Sequence, residues 1–440
     1  MSVFMTHDPS IPRSRRHPLA ALGVLDVLAF AAPLLRFVHI PVVGNLYLTE
    51  VLLATTLFLQ FFRSGRRLTA KLPRTFILLL TAWLLAQIIT DLVRSSAFND
   101  YARGWAMIGF ALINFSALYL LFANRPKRIV LFAAGLAGGQ IIEYFVAPGV
   151  HALAYPWKFG YGIGVNWLLV LLAVGLAKNQ RKWMGPVAVL VVTAAINIYL
   201  DFRSAGGIAF LAACFLAAQH LRRTQRKSRR LRPSHLVVLG AATLLGAFGV
   251  FKLYEHAAGS GWLGESARQK YEMQSGGEYG LLVGGRAEIL ISSRAVMDSP
   301  FIGHGSWAKD CRYSSTYIDL KQKAGYFAGE EKEACLIPAH SHLMGSWVQA
   351  GVIGPVVWLW VLWLVARALL NCYTTPSRLA PLIAFAAFAL AWDVLFSPFA
   401  GFTRFVTPFY IVILMGCLPN VDNSRPRSHR QLPMANQATG

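Results

Sequence analysis

The chain has 440 residues, of which 55% are hydrophobic and only 14% are charged. Soluble proteins carry about 25% charged residues, so this composition excludes an ordinary soluble enzyme. The apolar residues form long blocks, such as 236–251 and 356–366, rather than periodic stripes. Apolar blocks of about 20 residues span a bilayer as helices, which satisfy their own backbone polar groups in lipid. We therefore expect an all-α polytopic integral membrane protein.

The apolar blocks predict about twelve transmembrane helices, each near the length that a bilayer requires. They fall near residues 18–37, 42–62, 75–93, 104–123, 128–147, 161–177, 184–200, 205–220, 236–253, 343–366, 379–396 and 403–419. This divides the chain into a tail (1–17), nine helices (18–253), a long loop (254–342), three helices (343–419) and a second tail (420–440).

The net charge of +22 raises the question of a nucleic-acid partner, but the positions of the charges argue against one. One set of alternate loops is rich in Lys and Arg, whereas the short loops on the other side are poor in them. Basic residues in short loops stay in the cytoplasm. Both termini are therefore predicted to be cytoplasmic. The positive charge then reflects topology and a weak attraction to anionic lipid in the bilayer.

The long loop at 254–342 falls on the outer side in this topology and holds most of the acidic residues. Helix-like stretches occur at 264–274 and 285–299. The second stretch has an amphipathic pattern, formed by Ile289, Ile291, Val296 and Met297. We expect short helices that lie on the outer, membrane-facing surface.

Two of the five cysteines, Cys311 and Cys335, lie in this outer loop. They are either free thiols or, if the loop lies in an oxidising periplasm, a disulfide. Their spacing alone does not decide between the two, because a disulfide needs a specific geometry.

Charged groups at membrane depth are costly and are therefore candidates for function. The candidates gather on the predicted outer side. Arg203 lies at a tight turn between two apolar blocks, Arg286 follows two glycines, and Arg404 lies in the last outer turn. His340 and His342 stand at the start of the tenth apolar block.

Each candidate also has a structural interpretation. Arg203 can pair with Asp201, Arg286 can be an ordinary surface residue, and Arg404 can serve only packing. A lone histidine at a helix start, such as His340, is more often a cap than a base. Four acidic residues near or within the apolar blocks suit either arginine pairing or a transporter's proton relay: Asp26, Asp91, Glu143 and Asp393.

Residues 340–354 begin with His340 and Ser341, continue as an apolar helix and include Gly351 and Gly354. This arrangement resembles a motif of the O-antigen ligase and O-antigen polymerase superfamily. In that family a histidine followed by Asn or Ser precedes an apolar helix and a Gly-x-x-Gly element.

Two upstream segments are similar to the same family. Residues 284–307 match its arginine, short amphipathic helix and Pro-x-x-Gly-x-Gly element at Arg286, Pro300, Gly303 and Gly305. Residues 202–213 resemble its arginine turn, with the order Arg-Ser where Ser-Arg is usual.

Two further positions depart from the family. His342 replaces a residue that is usually polar or acidic, and Gln349 stands where Glu is frequent. Because of these departures, the resemblance does not identify the acceptor molecule.

The resemblance implies a GT-C-like glycosyltransferase of the bacterial inner membrane, with its active site at the periplasmic face. Such an enzyme transfers a glycan from undecaprenyl pyrophosphate to a hydroxyl with inversion. By this resemblance His340 is the general base, and Arg203 and Arg286 bind the donor pyrophosphate. Neither a metal nor another cofactor is expected.

Three more residues take supporting roles in the same scheme, namely Ser341, His342 and Arg404. The acceptor is a second lipid-linked repeat in a polymerase, which we favour, or lipid A-core in a ligase. A glycan or lipid exporter is the alternative from another class. The lack of a two-half repeat and the long outer loop argue against the exporter.

Overall fold

The computed structural model describes residues 23–123, 125–177, 183–224, parts of 249–272, 287–323 and 335–418. Arg286, the tail at 1–17 and the tail at 420–440 lie outside the described residues, as does most of the ninth predicted span.

The described chain is almost wholly helical. Its helices are α1 (Val24–Leu34), α2 (Leu48–Ser64), α3 (Lys71–Arg94), α4 (Phe98–Phe122), α5 (Pro126–Val146), α6 (Val150–Ala154), α7 (Pro156–Phe159), α8 (Tyr161–Leu176), α9 (Met184–Tyr199), α10 (Arg203–Thr224), α11 (Ala287–Asp298), α12 (Cys311–Lys323), α13 (His342–Ala350), α14 (Ile353–Thr374), α15 (Ala380–Phe396) and α16 (Thr403–Gly416). A short antiparallel hairpin pairs β1 (His39–Pro41) with β2 (Asn45–Tyr47), and a 3₁₀ turn covers Gly65–Thr69.

Five of these helices, α3, α4, α5, α10 and α14, are long and apolar enough to cross a membrane, judged by length and composition. Others, such as α1, α8, α9, α15 and α16, are shorter apolar helices. The outer faces of the bundle expose large apolar side chains, including Phe62 and Leu92. Exposed apolar surface on this scale marks contact with lipid or a partner. The chain is therefore an all-α, multi-pass membrane protein in a lipid bilayer.

The bundle is held together by a core of aromatic and aliphatic side chains. Trp83 of α3 and Trp358 of α14 meet edge to face, with ring centroids 5.6 Å apart. Phe76 of α3 makes a similar contact with Phe115 of α4 at 4.7 Å. Such aromatic pairs add about 1 kcal/mol each beyond their buried area. The core thus fixes α14 against the α3–α4 pair, beside which the candidate site lies.

The predicted tenth span, near 343–366, differs from the structure, because the segment is divided into α13 and α14. The break lies at Gly351, which has a positive φ of 65°. Only the second piece, Ile353–Thr374, has the length and composition of a membrane span. Helix α13 is a nine-residue helix that packs against α14 and α15.

Helices α11 and α12 form a small cluster over α13. Ile291 and Val296 of α11 are buried against Tyr313, Tyr317 and other residues of the cluster. Ile289 and Met297, the other two apolar residues of the amphipathic pattern, are exposed, because the buried stripe of this helix follows positions 287, 291 and 295.

Two tyrosine hydroxyls tie the pair α11–α12 together. Tyr317 donates to Glu288, and Tyr313 donates to Asp298. Burial, with the Asp298 carboxylate beside it, raises the pKa of Tyr313 to about 12. The hydroxyl therefore stays protonated and remains a donor at every physiological pH.

Cys311 and Cys335 form a disulfide, with Cα atoms 4.5 Å apart. The bridge joins the start of α12 to the strand-like segment where Lys309 pairs with Leu336. It closes a loop with a sequence separation of 24 residues. Of the two interpretations left open by the spacing, the structure has the bonded one.

We expect the Cys311→Ser/Cys335→Ser double variant to lose stability in the cluster of α11 and α12. Freeing a loop of this length costs on the order of 3 kcal/mol in the chain-entropy description. Limited proteolysis of the detergent-solubilised protein should cut this cluster sooner than in the wild type. Cys214→Ser, at an exposed free thiol, is the control. Equal cleavage rates in both variants would contradict a stabilising bridge.

Candidate active site

The two best-defined motif segments lie against each other at one end of the bundle. His304 N–H donates to the carbonyl of Val348 at 2.7 Å, and Gly305 N–H donates to that of Gln349 at 3.1 Å. The indole N–H of Trp347 donates to the carbonyl of Pro300 at 3.0 Å. The Pro-x-x-Gly-x-Gly loop is thereby docked along α13.

Glycine is required where the two segments cross. Gly303 has φ 83°, and a Cβ there would lie 2.6 Å from the backbone nitrogen of Gly351. Gly351 has φ 65°, and its own Cβ would overlap the carbonyl oxygen of Phe301. A side chain at either position would push the loop away from α13.

We expect Gly351→Ala to destabilise the protein by at least about 2 kcal/mol, because the new Cβ adds both backbone strain and overlap. Gly109→Ala is the matched control, since a Cβ at Gly109 in α4 meets no atom within 4 Å. Thermal unfolding of both variants in detergent measures the difference. A Gly351→Ala protein that unfolds at the wild-type temperature would show that the segments do not cross as described.

Asp91 anchors the same loop to α3. Its carboxylate is 2% exposed and accepts from Ser306 N at 2.6 Å and from Ser306 Oγ at 2.7 Å. Trp105 Nε1 and Ser96 Oγ also donate to it, both at 2.8 Å. Arg94 adds a bond from Nε to the carbonyl of Gly303 at 2.9 Å. Gln87 Nε2 also donates to the Asp91 carboxylate, at 3.3 Å. Five neutral donors thus satisfy this buried carboxylate, and the loop is fixed next to Trp307.

Of the other acidic residues singled out from the sequence, two are paired with arginines. Asp26 accepts from Arg128 at 2.7 Å, and Glu143 lies 2.9 Å from Arg36. The arginine-pairing interpretation therefore applies to both.

His340, Ser341 and His342 have different environments although they are consecutive. The side chain of His340 is exposed, just before α13 begins. Ser341 is buried and caps α13, since its Oγ accepts from Met344 N at 3.2 Å and donates to the carbonyl of Val394 at 2.8 Å. Of these two side chains, that of His340 is exposed and that of Ser341 is buried.

His342 is fully buried between Trp358 and Phe399. Its Nδ1 lies 2.6 Å from the carbonyl of Ser397, and its Nε2 lies 3.3 Å from Thr407 Oγ1. Burial lowers the pKa of His342 to about 4. The ring is therefore neutral at physiological pH and links α13 to the turn between α15 and α16.

Arg404 is buried at the start of α16. Its Nη2 donates to Glu50 Oε2 at 2.8 Å and to the carbonyl of Asn45 at 2.7 Å. Its guanidinium also faces the rings of Tyr47 and Phe110. These contacts join α16 to the hairpin and to α2, which is a structural role.

Arg203 is the first residue of α10. Its Nε lies 3.2 Å from Asp201 Oδ1, and both side chains are about one-third exposed. The ion pair named as the structural alternative is therefore present. Arg203 does not line the cavity described below, and Arg286 lies outside the described residues.

A cavity of about 160 Å³ lies beside His340. Ala339 and Ser341, the two neighbours of His340 in the chain, both line it. Trp83 and Trp307 line it as well, together with His342 on the side of α13. His340 itself is not among the lining residues, so its exposed side chain lies one position along the chain from two residues of a partly open cavity.

The sequence did not single out Trp83, Trp307 or the anchoring role of Asp91. A tryptophan in an apolar block is normally a core residue, and no local pattern distinguishes these two. Within the described residues, no group of three or more His, Cys, Asp or Glu side chains is arranged to hold a metal ion.

Comparison with known proteins adds no assignment to this geometry. No family model matches the chain, and no curated protein is significantly similar to it.

Proposed function

We propose that the protein is a membrane glycosyltransferase that moves a glycan from undecaprenyl pyrophosphate to a hydroxyl acceptor. The observation that carries the proposal is the exposed His340, whose two neighbours in the chain line a cavity, beside the crossing of the two segments that resemble the O-antigen ligase and polymerase motifs. Proton removal from a bound hydroxyl requires a base within hydrogen-bond reach, and an exposed imidazole close to a cavity supports that role.

In this proposal the imidazole of His340 takes the proton of the acceptor hydroxyl. The hydroxyl oxygen attacks the anomeric carbon of the donor glycan, and a new glycosidic bond forms. The bond from that carbon to the pyrophosphate breaks, and undecaprenyl pyrophosphate leaves with the electron pair. A single displacement inverts the anomeric centre. Imidazole suits the role because it titrates near neutral pH.

The leaving pyrophosphate gains negative charge as its bond to the sugar breaks. Arginine guanidinium groups bind phosphate oxygens in a bidentate manner and keep their charge at any cellular pH. We assign this stabilisation to Arg203 and Arg286. The partial exposure of Arg203 supports its part of the assignment, because a phosphate can approach the guanidinium.

Ser341, His342 and Arg404 act as positioning residues in the scheme. Ser341 caps α13 and so fixes the backbone next to His340. His342 and Arg404 hold the turn at 397–402 to α13 and to the hairpin. None of the three contacts the reacting atoms in this scheme.

The finer architecture belongs to the same proposal: about twelve membrane-spanning helices in a GT-C-like arrangement, both termini in the cytoplasm and the site at the periplasmic face of a bacterial inner membrane. The Cys311–Cys335 disulfide supports that orientation, because disulfides persist in the oxidising periplasm and not in the cytosol.

The test is the glycan attached to undecaprenyl pyrophosphate in cells that lack the gene. Single repeats on the carrier indicate a polymerase, which is the function we favour. Long chains on the carrier, with lipid A-core left bare, indicate a ligase. Carrier-linked and mature glycans identical to those of the parent cells would contradict both enzymes.

A further inference from the structure

Helix α11 carries apolar residues on two opposite faces. One face, formed by Ala287, Ile291 and Ala295, is buried against α12 and α13. The helical period places Leu290 and Met297 on the opposite face, where they are 43% and 72% exposed. A helix that lies between a protein core and water normally carries polar residues on its outer face. The outer face of α11 therefore indicates a partner other than water.

The apolar surface continues into the turn at 299–303, which follows α11. Phe301 is 78% exposed and Ile302 is 44% exposed. The carbonyl of Phe301 accepts a hydrogen bond from Val352 N at 3.4 Å, and the carbonyl of Ile302 accepts one from Thr90 Oγ1 at 2.6 Å. Val352 directly precedes α14, and Thr90 lies one helical turn before the end of α3. The turn is therefore fixed beside the ends of two helices that can cross the membrane.

The length of α3 sets the level of this turn in the bilayer. Its 24 residues extend about 36 Å at about 1.5 Å per residue, whereas the hydrocarbon core is about 30 Å thick. The end of α3 therefore lies at the boundary between hydrocarbon and headgroups. The exposed surface of Phe301 adjoins Val352 and Ile353, which are 39% and 40% exposed at the start of α14. The lipid-facing surface of the two helices thus extends onto the turn.

A basic side chain accompanies these apolar residues. Arg294 is exposed and lies on the same face of α11 as Leu290 and Met297 by the helical period. The stem of an arginine can lie along apolar chains while its guanidinium reaches lipid phosphates. In water, by contrast, an apolar patch of this kind favours association. The surface of a bilayer satisfies both the apolar side chains and the arginine.

We infer that α11 and the turn at 299–303 rest in the surface of the bilayer, with Leu290, Met297 and Phe301 among the acyl chains and Arg294 at the phosphates. Amphipathic helices bound in this way lie in the plane of the interface, with their apolar face at the boundary of headgroups and acyl chains. Lipid then holds one side of the α11–α12 cluster, and α13 holds the other. A second copy of the chain would instead have to displace the lipid that α3 and α14 already contact.

The test places a nitroxide spin label on the full chain in lipid nanodiscs, through Met297→Cys or Phe301→Cys. The background carries Cys214→Ser and Cys417→Ser, which removes two free thiols that could take up the label. Both label positions are more than two-thirds exposed, so the label replaces no buried contact. Power saturation measures collisions of the label with oxygen, which concentrates in hydrocarbon, and with a nickel chelate, which stays in water.

Two control positions set the scale. Leu92→Cys lies in the last turn of α3 and is 70% exposed, so it reports lipid at a matched depth. Ser315→Cys is exposed on α12 and reports water. The ratio of oxygen to nickel collisions at positions 297 and 301 should match that at Leu92 and exceed that at Ser315 several-fold.

A collision ratio at both positions equal to that at Ser315 would overturn the inference, because it would place α11 in water. Low collision rates with both reagents, together with spin–spin broadening that disappears when unlabelled protein is added before reconstitution, would assign the patch to a second copy of the chain instead. Each variant must unfold at the temperature of the background protein, so that the ratio reports the folded chain. The measurement needs no glycan, and its outcome is therefore separate from that of the proposed transferase activity.

Discussion

Cells that carry only a His340→Ala variant should accumulate undecaprenyl-linked glycan and lose the transferred product, with transfer at least about 100-fold slower than in the wild type. The physical reason is that the acceptor hydroxyl loses the base that takes its proton. His340 is exposed and its two chain neighbours line the cavity, whereas His342 is buried and held by two contacts. Gel analysis of carrier-linked and mature glycans measures the effect.

His151→Ala is the matched control for that experiment, since His151 is also an exposed histidine and lies in α6, outside the cavity lining. Its glycan profile should equal that of the wild type. A wild-type profile from His340→Ala, at normal protein abundance, would show that His340 is not the base.

The second large effect concerns stability. Arg404→Ala should destabilise the protein by about 3–5 kcal/mol, the usual consequence of removing one member of a buried ion pair. Glu50 is fully buried, and its carboxylate lies 2.8 Å from Arg404 Nη2. Without the guanidinium, that charge has no counter-ion. Thermal unfolding in detergent, followed by circular dichroism, gives the magnitude.

A double variant separates the ion pair from the packing. Arg404→Met with Glu50→Gln removes both charges and keeps most of the volume, so it should recover most of the lost stability. Arg203→Ala is the contrasting single variant, because its pair with Asp201 is partly exposed and should contribute less than about 1 kcal/mol. Equal destabilisation by Arg404→Ala and Arg203→Ala would contradict the difference in burial.

The helices were largely predictable from the sequence. Apolar blocks such as 75–93 and 104–123 predict helices without reference to the rest of the chain, since a membrane helix is recognised by its length and composition. They correspond to α3 and α4. The division of the tenth block was not predictable, because the loop that packs against Gly351 comes from Phe301, fifty residues earlier.

Contacts within the site were predictable only between residues that lie close together in the sequence. The pairing of Arg203 with Asp201 is visible from a spacing of two residues. The sequence does not show that His340 is exposed and His342 is buried, because His342 contacts Ser397 and Thr407 from another part of the chain.

The composition of the cavity was equally beyond a local pattern. It combines Trp83 with Trp307, two residues separated by more than two hundred positions. Only the bundle brings them together.

The most direct test of the central claim is made with purified protein in proteoliposomes that contain undecaprenyl pyrophosphate-linked glycan. The measurement counts undecaprenyl pyrophosphate released and glycosidic bonds formed. The account predicts one carrier molecule released for each bond formed by the wild type, and almost none with His340→Ala. Glycan that crosses the bilayer with its pyrophosphate link intact, and with no new bond, would contradict the account and identify an exporter instead.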